Sequence, residues 1–357
     1  MTEQQSSANH PYAGGPDWAF WRSGVVEGGG RGLDDLFVPT VPITSDTPIA
    51  TAGSCFAQHI GRWLRRSGVN VLDAEPVPGI MSDAVATRFG YRLFSGRYGN
   101  IYTARQLVQL LDDVITGHVD PRFVWSGPKG GYVDAFRPTV EPEGIDTVQE
   151  VLLHRDYHLE RTAQMLRMAE VFVFTLGLTE AWMDRATGRV FPVCPGVAGG
   201  RFDPTEHAMQ MFRYGEVTED LHAILARLRR FNPAIRMILT VSPVPLTATA
   251  SDDHVLTAST GAKATLRAAA GDFASDTSGV DYFPSYELVT SHATGGPWFE
   301  PNLRSVSEAG VTMVMSRFLA AHGLIAEAET PRADDPDLDE DADENIHCDE
   351  LLLQAAR

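Results

Sequence analysis

Cysteine is scarce in this chain. Cys55, Cys194 and Cys348 are an odd number at wide spacing among 357 residues, which excludes both a disulfide framework and a zinc-binding pattern. Basic residues are in the minority, 29 Lys and Arg against 47 Asp and Glu, for a formal charge of −18. Nucleic acid and anionic membrane both demand a basic footprint, so neither is expected as a partner. No apolar run approaches the roughly 18 to 20 residues of a membrane span, and the polar start Met1-Thr2-Glu3-Gln4-Gln5 lacks the basic-then-apolar pattern of a secretory signal. The expected compartment is the cytoplasm. No metal and no organic cofactor is implied.

What is present is unevenly placed. From Glu327 to Glu350 the chain carries Asp334, Asp335, Asp337, Asp339, Glu340, Asp341, Asp343 and Glu344, with Arg332 the only basic residue. Residues 327–345 therefore read as an acidic disordered linker. The apolar segment 346–357, with Ile346 and Leu351-Leu352-Leu353, is expected to dock back as a short helix or to bind a protein partner, docking being favoured. Residues 1–45 are rich in Gly, Pro and Ser, yet Tyr12, Trp18, Phe20 and Trp21 make them too aromatic for a disordered leader. An extended arm pinned to the body by its aromatics is the expectation.

Between residues 46 and 326, apolar strand patterns alternate with helical ones. Pro48-Ile49-Ala50-Thr51-Ala52 runs into Gly53-Ser54-Cys55 and then a helical spacing at Ile60, Trp63 and Leu64. Val69-Asn70-Val71-Leu72 reads as a second strand. Thr103 with Gln106 forms a capping-box signature ahead of Leu107, Leu110, Leu111 and Val114. Irregular insertions are expected near 118–147 and 184–204. A helical pattern over 146–170 places His154 and His158 one turn apart, but without the Glu that a zinc-protease helix needs, so a solvated or partly packed face is expected. Val171-Phe172-Val173-Phe174-Thr175 and Met237-Ile238-Leu239-Thr240-Val241 are buried strands, Val280-Asp281-Tyr282-Phe283 another, and helices are expected around 262–270 and 307–321. This alternation is the signature of an α/β fold with a mostly parallel sheet covered on both faces.

In such a sheet the loops after successive strands meet at one edge, where ligands bind. A nucleophile at the Ser54 turn would sit there, at the positive end of the following helix. Nucleophilic hydrolysis further requires a base in reach, an orienter and donors for the oxyanion. Ser54 supplies the hydroxyl; Cys55, at the same helix start, is the rival nucleophile. Gly99 offers a backbone donor where a substrate must come close.

Thr51-Ala52-Gly53-Ser54-Cys55-Phe56-Ala57, Tyr98-Gly99-Asn100-Ile101-Tyr102, Thr175-Leu176-Gly177-Leu178-Thr179-Glu180, Thr240-Val241-Ser242-Pro243-Val244-Pro245 and Tyr282-Phe283-Pro284-Ser285-Tyr286-Glu287 together resemble the GSCFA-domain family. The similarity runs in order over roughly residues 10 to 320. The family is bacterial and looks like a branch of the SGNH or GDSL-type hydrolases. The resemblance implies a flavodoxin-like three-layer α/β/α fold and a serine esterase or acyltransferase acting on an acylated small molecule or saccharide. It implies Ser54 as nucleophile, with Gly99, Asn100, Gly177, Thr179 and Glu180 around the oxyanion and substrate. Where relatives carry Asp-x-x-His, this chain reads Asn302-Leu303-Arg304-Ser305, with neither acid nor imidazole. The alternative reading is therefore a catalytically impaired binding protein on the same scaffold. A base must otherwise come from another loop: His254, beside Asp252 and Asp253, is the first candidate, then His292, with Lys263 as a lysine alternative.

Overall fold

Five consecutive buried residues form strand β1 (Ile49–Gly53), and everything at the candidate site is hung from its carboxyl end. The computed structural model describes residues 10–27, 33, 35–324, 349 and 352–353. Strand β1 pairs in parallel with β4 (Val171–Leu176), β4 with β8 (Arg236–Val241), and β8 with β9 (Val280–Tyr282). The sheet order is β1-β4-β8-β9. Beyond β1, the expected second strand shrinks to one parallel bridge, Ile49 to Val71. Its backbone leaves the sheet directly afterwards, because Ala74 N–H turns to the carbonyl of Ser95. With that vestigial edge counted, the order is the flavodoxin-like one, which puts a topological switch point beside β1.

The strands alternate their side chains between two cores. Phe172, Phe174, Met237 and Leu239 face α3 (Ala104–Thr116), α4 (Val148–Met168), α5 (Tyr214–Phe231) and α6 (Val255–Asp276). Ile49, Val171, Val173 and Ile238 face α1 (Phe56–Arg66), α7 (Ser285–Thr290) and α8 (Glu308–Ala321). Runs that are apolar at every position are what a strand buried on both faces requires. The capping box is present: the Thr103 hydroxyl accepts from Gln106 N–H while the Gln106 carbonyl oxygen accepts from Thr103 N–H. Thr147 and Glu150 form a second box at the start of α4.

The excursions are ordered. Helix α2 (Asp83–Arg88) follows the vestigial edge. Strands β2 (Val124–Ser126) and β3 (Tyr132–Asp134) form a hairpin, and β5 (Glu180–Asp184), β6 (Val190–Phe191) and β7 (His207–Met211) form a separate antiparallel sheet in the order β6-β5-β7. A buried ionic network staples the hairpin to the helices behind it. Arg155 donates to Asp113 at 2.7 Å and to Asp134 at 3.3 Å, Arg137 donates to Asp134 at 2.9 Å, and Arg189 also reaches Asp113.

The arm packs on the body along part of its length. The Asp281 carboxylate accepts from the N–H groups of Thr40 and Val41 at 2.8 and 2.7 Å, and Phe37 packs on Phe283 and Phe318. His158, expected on a solvated or partly packed face, is fully buried: its Nδ1 lies 2.7 Å from Glu75. The loop carrying Glu75 covers the helix face that periodicity alone leaves open. Burial, reinforced by Arg137, pushes the His158 imidazole down to about 4. Burial alone would raise the Glu75 carboxyl, but His158, Arg137 and the Arg97 N–H hold it well below the usual range.

Candidate active site

The turn after β1 is forced by close approach. Gly53 has φ +144°, and a Cβ there would stand 2.5 Å from the Thr175 carbonyl oxygen, so no side chain is admissible. Ser54 follows, its N–H donating to Thr175 O at 3.1 Å, and α1 begins two residues later. The Ser54 side chain is buried, and its Oγ has no hydrogen-bond partner. Leaving a buried hydroxyl unpaired costs on the order of 1–3 kcal/mol, so the exception asks for a reason. Thr51 and Thr175, in the strands below, share the condition; Ser54 alone of the three stands in the loop edge.

Three other loops close around this hydroxyl. Ile101 N–H donates to the Gly53 carbonyl at 2.8 Å, which seats the Gly99-Asn100-Ile101-Tyr102 loop against the turn. The Tyr102 carbonyl in turn accepts from Gly177 N–H and Leu178 N–H, both at 2.9 Å, drawing in the loop after β4. A Cβ on Gly177 would lie 2.8 Å from the Ser54 Cβ, so glycine is what leaves room for the serine. Ser242 N–H, at the end of β8, donates to the Leu176 carbonyl at 2.9 Å, and Leu246 packs with Tyr102 and Leu178.

The sequence candidates separate on this frame. Gly99 takes φ +67° and, with Asn100 and Thr139, lines a small cavity. Asn100 is buried, and its Oδ1 accepts from Gln58 Nε2 at 3.1 Å, one turn into α1. Lys263 is buried and reaches across from α6 to donate to the Gly177 carbonyl at 2.7 Å. Of these groups Lys263 is joined to Gly177, the residue that adjoins the Ser54 side chain, and Asn100 to Gln58 of α1. Cys55 packs in the apolar cluster with Phe56, Ile60 and the α8 side chains, the opposite face of the turn.

Thr179 is close in sequence but turned to other work. Its Oγ donates to the Met211 sulfur at 3.2 Å. The Glu180 carboxylate clasps the loop after β8, accepting from the Thr249 hydroxyl at 2.6 Å and from Ala250 N–H at 2.9 Å. His254 is exposed and caps α6, its Nδ1 accepting from Leu256 N–H at 3.2 Å, so the structure does not join it to Ser54. His292 is exposed and stacks on Trp21 at 6.0 Å, pinning the arm. Asn302 closes its own turn by accepting from the N–H groups of Arg304 and Ser305. That stretch is a self-contained bend with no proton-transfer group.

Sequence reasoning missed Gln58, Thr139 and Asp349. Gln58 had a signal, since it lies four residues after Ser54 and so on the same helical side. Asp349 had none in its local pattern. It is nonetheless buried, and its carboxylate accepts from Asn100 Nδ2 at 3.0 Å and from the Thr139 hydroxyl at 2.6 Å, while its N–H donates to the Tyr102 hydroxyl at 3.1 Å. Among the described residues no cluster of three or more His, Cys, Asp or Glu could hold a metal ion, and no helix is long and apolar enough to cross a membrane.

The GSCFA family model matches residues 48–318, a span that holds Ser54, Asn100, Gly177 and Lys263. No curated protein matches the chain. Among solved structures, a carbohydrate esterase of family 3 from Talaromyces cellulolyticus aligns over 76% of this chain and 94% of its own at 9% identity, with a TM-score of 0.35. A chain from Parabacteroides merdae described as a GDSL-like lipase aligns over 80% of this chain and 100% of its own at 12% identity, with a TM-score of 0.34.

Proposed function

The chain belongs to the GSCFA family, and on that premise we propose that it is a serine esterase or acyltransferase that works through an acyl-Ser54 intermediate. The observation that carries the reading is the Ser54 hydroxyl itself: buried, unpartnered, at the carboxyl edge of a parallel sheet, with Gly177 cleared to receive it. In this reading Ser54 Oγ attacks the carbonyl carbon of an acyl ester, its proton passes to a base, and the alcohol departs. Water or a second alcohol then takes the acyl group from the serine. The reading takes Lys263 as the proton acceptor, supported by its bond from α6 to the carbonyl of Gly177, the residue that adjoins Ser54. A lysine partner to a serine nucleophile is an established alternative to histidine. The substrate class, an acylated small molecule or saccharide, is part of the proposal.

The test is turnover of short-chain acyl esters. Ser54→Ala should abolish it, and Lys263→Met should lower kcat by the roughly 10²- to 10⁴-fold that general-base help supplies. Retained activity in Ser54→Ala, with loss in Cys55→Ala, would transfer the role to the thiol.

A further inference from the structure

Asp349 lies far from the site in sequence, separated from Leu324 by residues 325–348, yet it is bonded to the Asn100–Tyr102 loop that is seated against the Ser54 turn. The seat has three parts: the Asn100 amide and the Thr139 hydroxyl, which both donate to the carboxylate, and the Tyr102 hydroxyl, which accepts the Asp349 N–H. Two of these are continuous with the nucleophile. Asn100 is held by Gln58 on the helix that Ser54 starts, and Tyr102 carries the carbonyl that fixes Gly177 against Ser54. The seat therefore offers hydrogen-bond donors to a carboxylate on the loop that packs against the buried Ser54 turn.

Of the apolar residues after Asp349, two are described. Leu352 is 38% exposed and Leu353 half-buried. A hydroxyl that must meet a substrate has to be uncovered by something, and Asp349 bonds the loop seated against the Ser54 turn.

We propose that the C-terminal segment carrying Asp349 is a tethered occupant of the Asn100–Tyr102–Thr139 seat and competes there with the substrate of Ser54. Docking of the segment stands on the seat alone; the competition rests on the Ser54 reading above. The occupant's chemistry also names what the seat recognises, a carboxylate or an acyl oxygen presented to an amide and a hydroxyl donor. A substrate bound there would displace Asp349, and a tethered ligand is displaced according to its effective concentration.

The experiment uses the full-length chain and a fluorescently labelled synthetic peptide of residues 346–357. The peptide should bind the Asp349→Ala chain at least ten-fold more tightly than the wild-type chain, whose seat is filled, and Asn100→Ala added to Asp349→Ala should remove that binding. Equal binding to both chains, or none to either, would overturn the docking. In parallel, a fluorophosphonate should label Ser54 at least five-fold faster in Asp349→Ala than in wild type; an equal or slower rate would overturn the competition. Peptide exchange as expected with no labelling of any chain would support the docking and defeat the Ser54 reading. Asp349→Asn keeps the side-chain shape and carries the same comparisons if the alanine variant does not fold.

Discussion

At the residue scale, the site is set by two glycines and the serine between them in space. Gly53 lets the chain turn against β4, and Gly177 leaves the volume that the Ser54 side chain fills. Gly177→Ala is expected to lower stability by about 1–3 kcal/mol, the ordinary cost of overpacking. It should also lower Ser54 reactivity at least ten-fold, because the new methyl group can be relieved only by moving Ser54 or the Tyr102 carbonyl. Gly215, in the first turn of α5, has nothing within 4 Å of an added Cβ, and Gly215→Ala should be neutral or stabilising by up to ~1 kcal/mol. Denaturant midpoints and probe-labelling rates on the two variants check this contrast. The Ser54 turn was legible in sequence because strand, small-residue turn and helix follow one another locally. The surroundings of the base candidates were not: sequence ranked His254 ahead of Lys263, and only the path of α6 makes His254 a helix cap and sends Lys263 to the Gly177 carbonyl.

At the element scale, long-range polar clasps decide where the loops lie. The Glu75–His158 pair ties the connection after the vestigial edge to α4 at 2.7 Å, inside the core. Its pH signature follows from the lowered His158 value. Between about 4 and the ordinary 6.5 the unfolded chain binds a proton that the folded chain refuses, so this contribution is complete above pH 6.5 and is lost as pH falls toward 4. His322 shifts in the same direction through burial. Unfolding free energy should therefore drop by roughly 1.4 kcal/mol per pH unit per proton across that window. His158→Gln should flatten the slope by about one proton, as read from urea unfolding between pH 7 and 4.5; an unchanged slope would show that His158 titrates normally. Continuous apolar patterns revealed β4 and β8 because both of their faces are buried. Sequence patterns misjudged Val69–Leu72, where an edge position supports one bridge, and His158, whose cover comes from a loop 83 residues away.

At the scale of the whole molecule, the parallel sheet, its two cores and the insertions form one connected body whose polar interior is concentrated behind β2 and β3. Arg155 is the hub of that interior, joined to both Asp113 and Asp134. Arg155→Met should cost up to about 3–5 kcal/mol, since it removes the partner shared by two buried carboxylates and leaves Asp113 to Arg189 and Asp134 to Arg137. Arg122→Ala, which removes an exposed pair with Asp120, should leave the denaturation midpoint nearly unchanged. Chemical denaturation distinguishes the two. Composition could announce the acidic run after residue 326 and the apolar segment beyond it, but not the Asn100–Thr139 seat, because its members come from three distant parts of the chain.

The central claim is that Ser54 is a nucleophile, and intact-mass analysis with peptide mapping after fluorophosphonate treatment tests it most directly. The account predicts one adduct per chain, located on Ser54 and absent from Ser54→Ala. An adduct on Cys55, or a chain that folds and remains unlabelled even when Asp349→Ala has opened the seat, would contradict it.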